Sequence, residues 1–238
     1  FLRPDALLWT NFAPDHLDWH KDMREYFCAK FNLVNALRGK LLFISKDVAE
    51  AAEEYGMKMP AFAKIPADMD PSACPKPFDT SVQSRNFAMA AEFLKSLGLP
   101  YAAAEAARGF ALPKYRFGEP AEASGVKFYN DSKATNAHAA IAALRELSGT
   151  KSLVWLGGGK DKNCDLSELA GEIAKSAKGA VLIGQTAEKL AEILRACGVE
   201  ARVCGSMKEA VEMSAKMAGD GGSVLFSPGF SSFGMFSG

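Results

Sequence analysis

Short apolar segments alternate with longer stretches of helical periodicity in the second half of the chain. The apolar segments cover residues 126–129, 152–156, 180–183, 201–203 and 223–226. This alternation is typical of βαβ units, in which helices cover both faces of a mostly parallel sheet. The pattern therefore predicts an α/β fold for this region.

Helix-end signals support the same interpretation. Asp165, with Glu168 three residues later, predicts a capping box in front of a helix over residues 166–177. Gly198 and Gly219 stand where glycine commonly ends a helix.

The first 110 residues have a less regular pattern. Residues 60–77 are rich in proline and lack a clear period, so we expect a loop or an irregular edge strand there. A boundary after residue 113 would separate two domains, 1–113 and 114–238, of ordinary size. The other predicted elements of the first domain are strands near 6–10 and at 40–44, and helices over 21–37, around 84–97 and around 102–108.

The composition indicates a globular protein without a strong global charge. The chain has 238 residues, and its 28 basic residues balance its 28 acidic ones, so no overall field would attract nucleic acid or an anionic membrane. The five cysteines are scattered and lack CxxC spacing, which favours reduced packing residues over disulfides or a zinc site. Since there is neither a bilayer-length apolar run nor a signal-peptide pattern, we expect a cytoplasmic protein.

A lysine lies within the apolar stripe of the helix over residues 21–37. The helix turns by about 100° per residue, which directs Lys30 close to Met23 and toward the interior. Burial favours the neutral amine, which can add carbon dioxide and become a carbamate, an oxygen-rich anion that suits Mg²⁺. The alternative is a lysine that extends along the helix to reach solvent. The stripe consists of Met23, Tyr26, Phe27, Phe31, Val34 and Leu37.

Residues 11–20 follow the first predicted strand, where parallel sheets place their binding loops. His16 and His20, with Asp15 and Asp18, invite a metal-site interpretation, but their spacing is weak evidence by itself. Asp18 can equally cap the following helix.

Three further segments follow predicted strands in the second half. Residues 128–136 can offer backbone amides, hydroxyls and the charge of Lys133 to an anion, or can form an ordinary helix cap. Residues 156–165 combine glycines, which permit close backbone approach, with lysines that can bind a carboxylate. Residues 227–233 follow the last strand.

These segments together resemble the Mur ligase family of ATP-dependent amide-bond ligases, and they occur in the family order. Asp15-His16-Leu17-Asp18, followed by Tyr26 and Ala29-Lys30, is similar to the central-domain signature. The string Asn-Asp-Ser-Lys-Ala-Thr-Asn over residues 130–136 resembles the family members that add D-glutamate. The resemblance implies the C-terminal part of a central ATPase domain, followed by a Rossmann-like domain.

The resemblance also implies ATP and Mg²⁺ as cofactors, and UDP-N-acetylmuramoyl-L-alanine and D-glutamate as small-molecule substrates of a monomer in peptidoglycan synthesis. His16 and a carbamylated Lys30 would hold the metal as catalytic residues. The expected nucleotide-side residues are Asn86, Arg116 and Asp131. The expected substrate-side residues are Lys133 and Thr135 for the muramoyl peptide, and Lys162, Ser232 and Phe233 for glutamate.

Some positions depart from the family pattern. Gln83-Ser84 stands where a His-Asn pair is usual, an extra residue precedes Arg116, and Gly234 replaces a common aspartate. No G-x-x-x-x-G-K-[ST] phosphate loop occurs, so we expect that the natural chain begins upstream and that residues 1–238 alone lack ligase activity. The alternatives are another Mur or folylpolyglutamate-type ligase, and a non-catalytic binding module of this fold.

Overall fold

The computed structural model describes residues 2–17, 19–118, 120–160 and 165–231. The chain forms two compact units, Phe1–Ala111 and Leu112–Gly238. Their boundary lies two residues before the one expected from the sequence. Five residues singled out above, Asp18, Lys162, Ser232, Phe233 and Gly234, lie outside the described residues.

The first unit contains a three-stranded parallel sheet with helices around it. The strand order is β1-β2-β3, and both strand pairs are parallel. The elements, in chain order, are β1 (Ala6–Trp9), α1 (Met23–Asn35), β2 (Leu41–Ile44), α2 (Lys46–Glu54), β3 (Ala63–Lys64), a 3-10 turn (Pro71–Ala73), α3 (Ser81–Ser96) and α4 (Ala102–Ala107).

The apolar face of α1 forms much of the core of this unit. Tyr26, Phe27, Phe31 and Val34 are buried, and the Phe27 ring stacks on Trp9 of β1 with 4.9 Å between centroids. Burying one such aromatic side chain contributes about 2–3 kcal/mol. The predicted apolar stripe therefore anchors α1 against the sheet.

Two features of the first unit differ from the sequence-based expectations. Helix α2 was not predicted; its buried face consists of Val48, Ala51 and Ala52. Within residues 60–77, only β3 is a strand, and it pairs in parallel with β2.

The second unit contains a six-stranded sheet in the order β4-β5-β9-β6-β7-β8. Every pair is parallel except β4 with β5. The elements are β4 (Ala121–Ala123), β5 (Val126–Asn130), α5 (Ala137–Glu146), β6 (Leu153–Gly157), α6 (Ser167–Ser176), β7 (Gly179–Leu182), α7 (Ala187–Ala196), β8 (Glu200–Val203), α8 (Met207–Ala218) and β9 (Ser223–Phe226).

The expected mostly parallel α/β sheet is confirmed for this unit. Buried residues of α5, α6 and α7 form one core cluster with the sheet, whereas those of α8 belong to another, so helices cover both faces. Because the last strand, β9, lies between β5 and β6, the loops that follow these three strands are neighbours at the carboxyl edge.

The predicted capping box at α6 is wrong. The helix begins at Ser167, and its cap position is occupied by Leu166, which makes no side-chain cap bond. Asp165 instead accepts a hydrogen bond from the backbone N–H of Ser167 at 2.9 Å. Gly219 ends α8 with a φ of 71°, a left-handed conformation that glycine adopts without strain.

Candidate functional site

The ring of Tyr26 brings together the side chains singled out in the first unit. The centroids of His16 and His20 lie 5.5 Å and 5.2 Å from its centroid. The Nζ atom of Lys30 lies 4.9 Å from the same centroid. The loop after β1 and the first two turns of α1 therefore converge at one aromatic ring.

Local hydrogen bonds shape this loop. His16 has a φ of 55°, and its carbonyl accepts hydrogen bonds from the N–H groups of Trp19 and His20 at 3.0 and 2.9 Å. Asp22 caps α1 by accepting from Glu25 N–H at 2.8 Å, and the Glu25 carboxylate accepts from Lys21 N–H at the same distance. This reciprocal cap starts α1 so that Tyr26 follows within its first two turns.

Lys30 is half-buried beside the Tyr26 ring. Its contact is of the cation–π kind, which an ammonium makes with an aromatic face. The buried positions of α1 are Tyr26, Phe27, Phe31 and Val34, so Lys30 lies at the edge of the apolar face. The charge state of Lys30 is therefore the property to test.

The described side chains at this place do not enclose a metal ion by themselves. Within the described ranges, no group of three or more histidine, cysteine, aspartate or glutamate side chains is close enough to enclose a metal ion. Mg²⁺ commonly takes only one or two protein ligands and completes its shell with phosphate oxygens and water. The His16 imidazole and a Lys30 carbamate would supply a set of that size.

Asp47 links the loop after β1 to the beginning of α2, a contact that the sequence did not suggest. Its Oδ2 atom accepts a hydrogen bond from the backbone N–H of Phe12. Both residues follow the carboxyl ends of neighbouring strands, β1 and β2. A cavity of about 480 Å³ lies at this edge, and its lining includes Thr10, Ser45, Asp47 and Arg85.

Asn86 lies in α3 and is half-buried. Its Nδ2 atom lies 3.4 Å from Oε1 of Gln83, one turn earlier on the same helix. Gln83, which departs from the family pattern, therefore contacts Asn86, the expected adenine-side residue, directly.

Asp131 occupies the carboxyl end of β5 in the second unit. Its Oδ2 atom accepts a hydrogen bond from the hydroxyl of Ser227 at 3.2 Å, and its N–H donates to the carbonyl of Phe226 at 2.8 Å. Burial raises the pKa of the Asp131 carboxyl to about 6, although the Ser227 hydroxyl and the Arg116 guanidinium lower it. The structure thus brings Asp131 and Arg116 into one electrostatic environment.

The segment that carries Arg116 is held against the end of β5. Phe117 donates its N–H to the carbonyl of Asn130 at 3.2 Å, and its ring stacks on Tyr129 with 5.7 Å between centroids. Tyr115 and Phe117 have φ values of 69° and 47°, which non-glycine residues rarely adopt. This tight backbone accommodates the segment whose extra residue departs from the family pattern.

Lys133 and Thr135 lie exposed on the loop between β5 and α5. The loop is pinned by backbone bonds, because Lys133 N–H donates to the carbonyl of Tyr115 at 3.2 Å. Asn136 then caps α5 by accepting from the N–H of Ala139 at 2.9 Å. The two predicted peptide-binding side chains therefore project from a fixed loop.

A seam of backbone bonds joins the loops that follow β6 and β9. Gly158 N–H donates to the carbonyl of Pro228 at 2.9 Å, and Lys160 N–H donates to that of Ser231 at 2.8 Å. The next predicted glutamate contacts along the chain, Lys162 and Ser232, lie outside the described residues. The seam therefore holds the two loops together as far as Lys160 and Ser231.

No individual role was predicted from the sequence for Ser227, Trp155 or Thr186, although all three lie fully buried in this edge. Trp155 donates its indole N–H to the carbonyl of Ser227 at 3.0 Å. A Cβ on Gly157 would lie 2.1 Å from the Trp155 ring, so only glycine fits there. The available sequence signal was the glycine that ends the strand bearing this tryptophan.

Known proteins resemble the chain in both units. The family model described as the Mur ligase middle domain matches residues 1–64, and the one described as the Mur ligase glutamate ligase domain matches residues 116–230. No helix in the described part of the chain is both long and apolar enough to cross a membrane.

Curated relatives align over nearly the whole chain. The UDP-N-acetylmuramoylalanine–D-glutamate ligase of Fervidobacterium nodosum is 31% identical over 235 residues, which are 98% of this chain and 55% of the relative. The ligase of the same name from Thermobifida fusca is 32% identical over 279 residues, which cover 99% of this chain and 58% of the relative. The chain therefore spans little more than half the length of these relatives.

Solved structures share the fold at low sequence identity. MurF from Acinetobacter baumannii superposes with a TM-score of 0.69 at 16% identity, covering 94% of this chain and 56% of MurF. The bifunctional folylpolyglutamate synthase/dihydrofolate synthase from Yersinia pestis, complexed with AMPPNP and Mn ion, superposes with a TM-score of 0.64 at 19% identity. The superposition covers 96% of this chain and 59% of the synthase. These neighbours establish the fold of the chain and nothing finer.

Proposed function

Because the chain belongs to the Mur ligase family, we propose that it forms part of a cytoplasmic, monomeric, ATP-dependent ligase that adds D-glutamate to UDP-N-acetylmuramoyl-L-alanine. The observation that carries the proposal is the connected edge of the second unit. There, the Ser227 hydroxyl joins Asp131 to the loop after β9. The seam joins that loop to the glycine loop, which follows β6 and contains Gly158 and Gly159. Relatives that bear this activity in their names align over the same residues.

The reaction has two balanced steps. The γ-phosphoryl group of ATP moves to the alanine carboxylate, and ADP leaves. The amine of D-glutamate then attacks the acyl phosphate carbonyl, and phosphate departs as the nitrogen loses its proton and the amide forms. Holding the amine against the carbonyl in the correct orientation lowers the activation free energy. Ideal alignment can lower it by about 7–11 kcal/mol.

The expected nucleotide-side residues are assigned separately within each unit. In the first unit, Asn86 would bind on the adenine side, while in the second unit Arg116 would bind a phosphate and Asp131 would serve the nucleotide. Burial favours the neutral form of the Asp131 carboxyl, whereas the Ser227 hydroxyl and the Arg116 guanidinium favour the ionised form, which is the stronger hydrogen-bond acceptor.

His16 and a carbamylated Lys30 would hold Mg²⁺. When bound, the ion would offset the negative charge that develops during phosphoryl transfer. The reciprocal cap of α1 and the turn at His16 hold the backbone that carries these two side chains. Their common neighbour, Tyr26, limits the positions that both can occupy.

The remaining residues would bind the two substrates that are joined. Lys133 and Thr135, on the loop pinned to Tyr115, would bind the muramoyl peptide. Lys162, Ser232 and Phe233 would hold glutamate so that its amine, rather than water, meets the acyl phosphate.

Amino-acid binding by the 238-residue chain tests this assignment without requiring turnover. Isothermal titration calorimetry should show that D-glutamate binds at least about tenfold more tightly than L-glutamate, equivalent to about 1.4 kcal/mol. Lys162→Ala should remove binding. Lys127→Ala is the matched control, because Lys127 is an exposed lysine near the opposite end of β5.

Preference for L-glutamate would instead favour a folylpolyglutamate-type ligase. Preference for an unrelated amino acid would favour another Mur ligase. Failure to bind any amino acid would contradict the assignment and favour a binding module of the same fold.

A further inference from the structure

Thr186 follows β7 and occupies the cap position of α7, yet it does not cap that helix. It is fully buried, with 0% of its surface exposed, and makes no side-chain cap bond to α7. A threonine at this position commonly accepts a hydrogen bond from a helix N–H group. Here the hydroxyl is directed elsewhere.

The hydroxyl of Thr186 contacts the glycine loop after β6. Gly159 donates its N–H to Oγ1 of Thr186 at 3.2 Å, and Oγ1 also lies 3.4 Å from the Gly159 carbonyl oxygen. Thr186 N–H donates to that same carbonyl at 3.1 Å. Both backbone polar groups of Gly159 are therefore held by one residue.

On its other side, Gly159 packs against the loop after β9. A Cβ at this position would lie 2.5 Å from the carbonyl oxygen of Ser231 and 3.0 Å from Cβ of Phe230. The next residue, Lys160, donates its N–H to Ser231 at 2.8 Å. Gly159 is thus fixed between Thr186 and the chain that continues to residue 232.

We propose that Thr186 is a positioning residue for the amino-acid subsite: by holding Gly159 through its hydroxyl, it fixes the loop after β6 against the loop after β9, and glutamate would bind between these two loops. The inference rests on the proposed function, because it needs glutamate to bind between these two loops. Thr186 acts through Gly159, because its hydroxyl both accepts from and donates to that residue.

Two substitutions separate the hydroxyl from the shape of the side chain. Thr186→Val retains the volume and leaves the buried N–H of Gly159 without its partner, whereas Thr186→Ser retains the hydroxyl. A buried donor that has lost its partner is strongly disfavoured, so the loop should move or open. We expect D-glutamate to bind the 238-residue Val variant about tenfold more weakly, and the Ser variant within about twofold of the original chain.

Leu144→Val is the matched control for a general loss of stability. Leu144 is fully buried in α5, within the same core cluster as the start of α7. The Leu144→Val substitution should lower the temperature of unfolding without changing the affinity for D-glutamate.

Hydrogen exchange of the Gly159 backbone amide, measured by NMR, provides a readout that does not depend on glutamate. Protection of this amide should fall in the Val variant and persist in the Ser variant. If Gly159 stays protected in the Val variant, or if the Val variant binds D-glutamate as tightly as the original chain does, the positioning role is wrong. If the original chain binds no D-glutamate, the proposed function fails, and with it the role of Thr186 toward glutamate.

Discussion

Replacing Asp131 with asparagine tests the electrostatic account of the binding edge in the second unit. Burial raises the pKa of this carboxyl from its ordinary value of 3.8 to about 6. At 1.36 kcal/mol per pKa unit, the buried charge lowers the free energy of unfolding by up to about 3 kcal/mol when Asp131 is ionised. Asparagine fills the same space without that charge.

The sign of the pH dependence follows from proton binding. Between pH 3.8 and about 6, the folded state binds the proton of Asp131 more tightly than the unfolded chain does. This contribution to stability is fully present below pH 3.8 and is lost as the pH rises through about 6. Asp131→Asn should therefore match the original chain at pH 4 and exceed it by about 2–3 kcal/mol at pH 8.

Urea unfolding at the two pH values measures this difference. Replacing Trp9 and Trp19 with phenylalanine leaves Trp155 as the fluorescent reporter of the second unit. Asp165→Asn is a control of opposite sign, because hydrogen bonds from Ser167 lower the pKa of Asp165, so its removal should bring no gain at pH 8. An equal effect of Asp131→Asn at both pH values, or a loss of stability at pH 8, would refute the reasoning.

Three further predictions concern the ligase account. In an active ligase that contains this chain, Lys30→Ala and Lys30→Arg should each lower turnover by about a thousandfold or more, and short carboxylates should partly rescue only the Ala variant. Near-normal activity of Lys30→Arg would exclude the carbamate. Purified residues 1–238 should show no ATP-dependent addition of D-glutamate, because they contain no phosphate-loop motif; measurable product would disprove this. A shorter chain that begins at Lys114 should fold alone around its layered core, and a random-coil circular dichroism spectrum would count against that.

The sequence predicted best the elements that are buried on both sides. Strands β6, β7 and β9 are continuous apolar runs, so their positions follow from hydrophobicity alone. Strand β4 was missed because all three of its residues are exposed. The cap at α6 failed because the helix begins after Leu166, which leaves Asp165 outside it.

The contacts that build the candidate site depend on strand order, which periodicity does not encode. Ser227 reaches Asp131 only because the last strand inserts between β5 and β6. Thr186 reaches Gly159 because β7 lies beside β6. Motifs could therefore nominate Asp131 and the glycine loop, but the residues that hold them in place required the fold.

The most direct test of the central claim is a ligation assay. Residues 1–238 can be joined to the part of the Fervidobacterium nodosum ligase that lies outside their alignment. The release of ADP is then measured with UDP-N-acetylmuramoyl-L-alanine and each candidate amino acid. The account predicts ADP release and amide formation that depend on D-glutamate and fall when Lys162 is replaced by alanine. An enzyme that consumes ATP with this UDP substrate but uses a different amino acid, or is indifferent to Lys162→Ala, would contradict it.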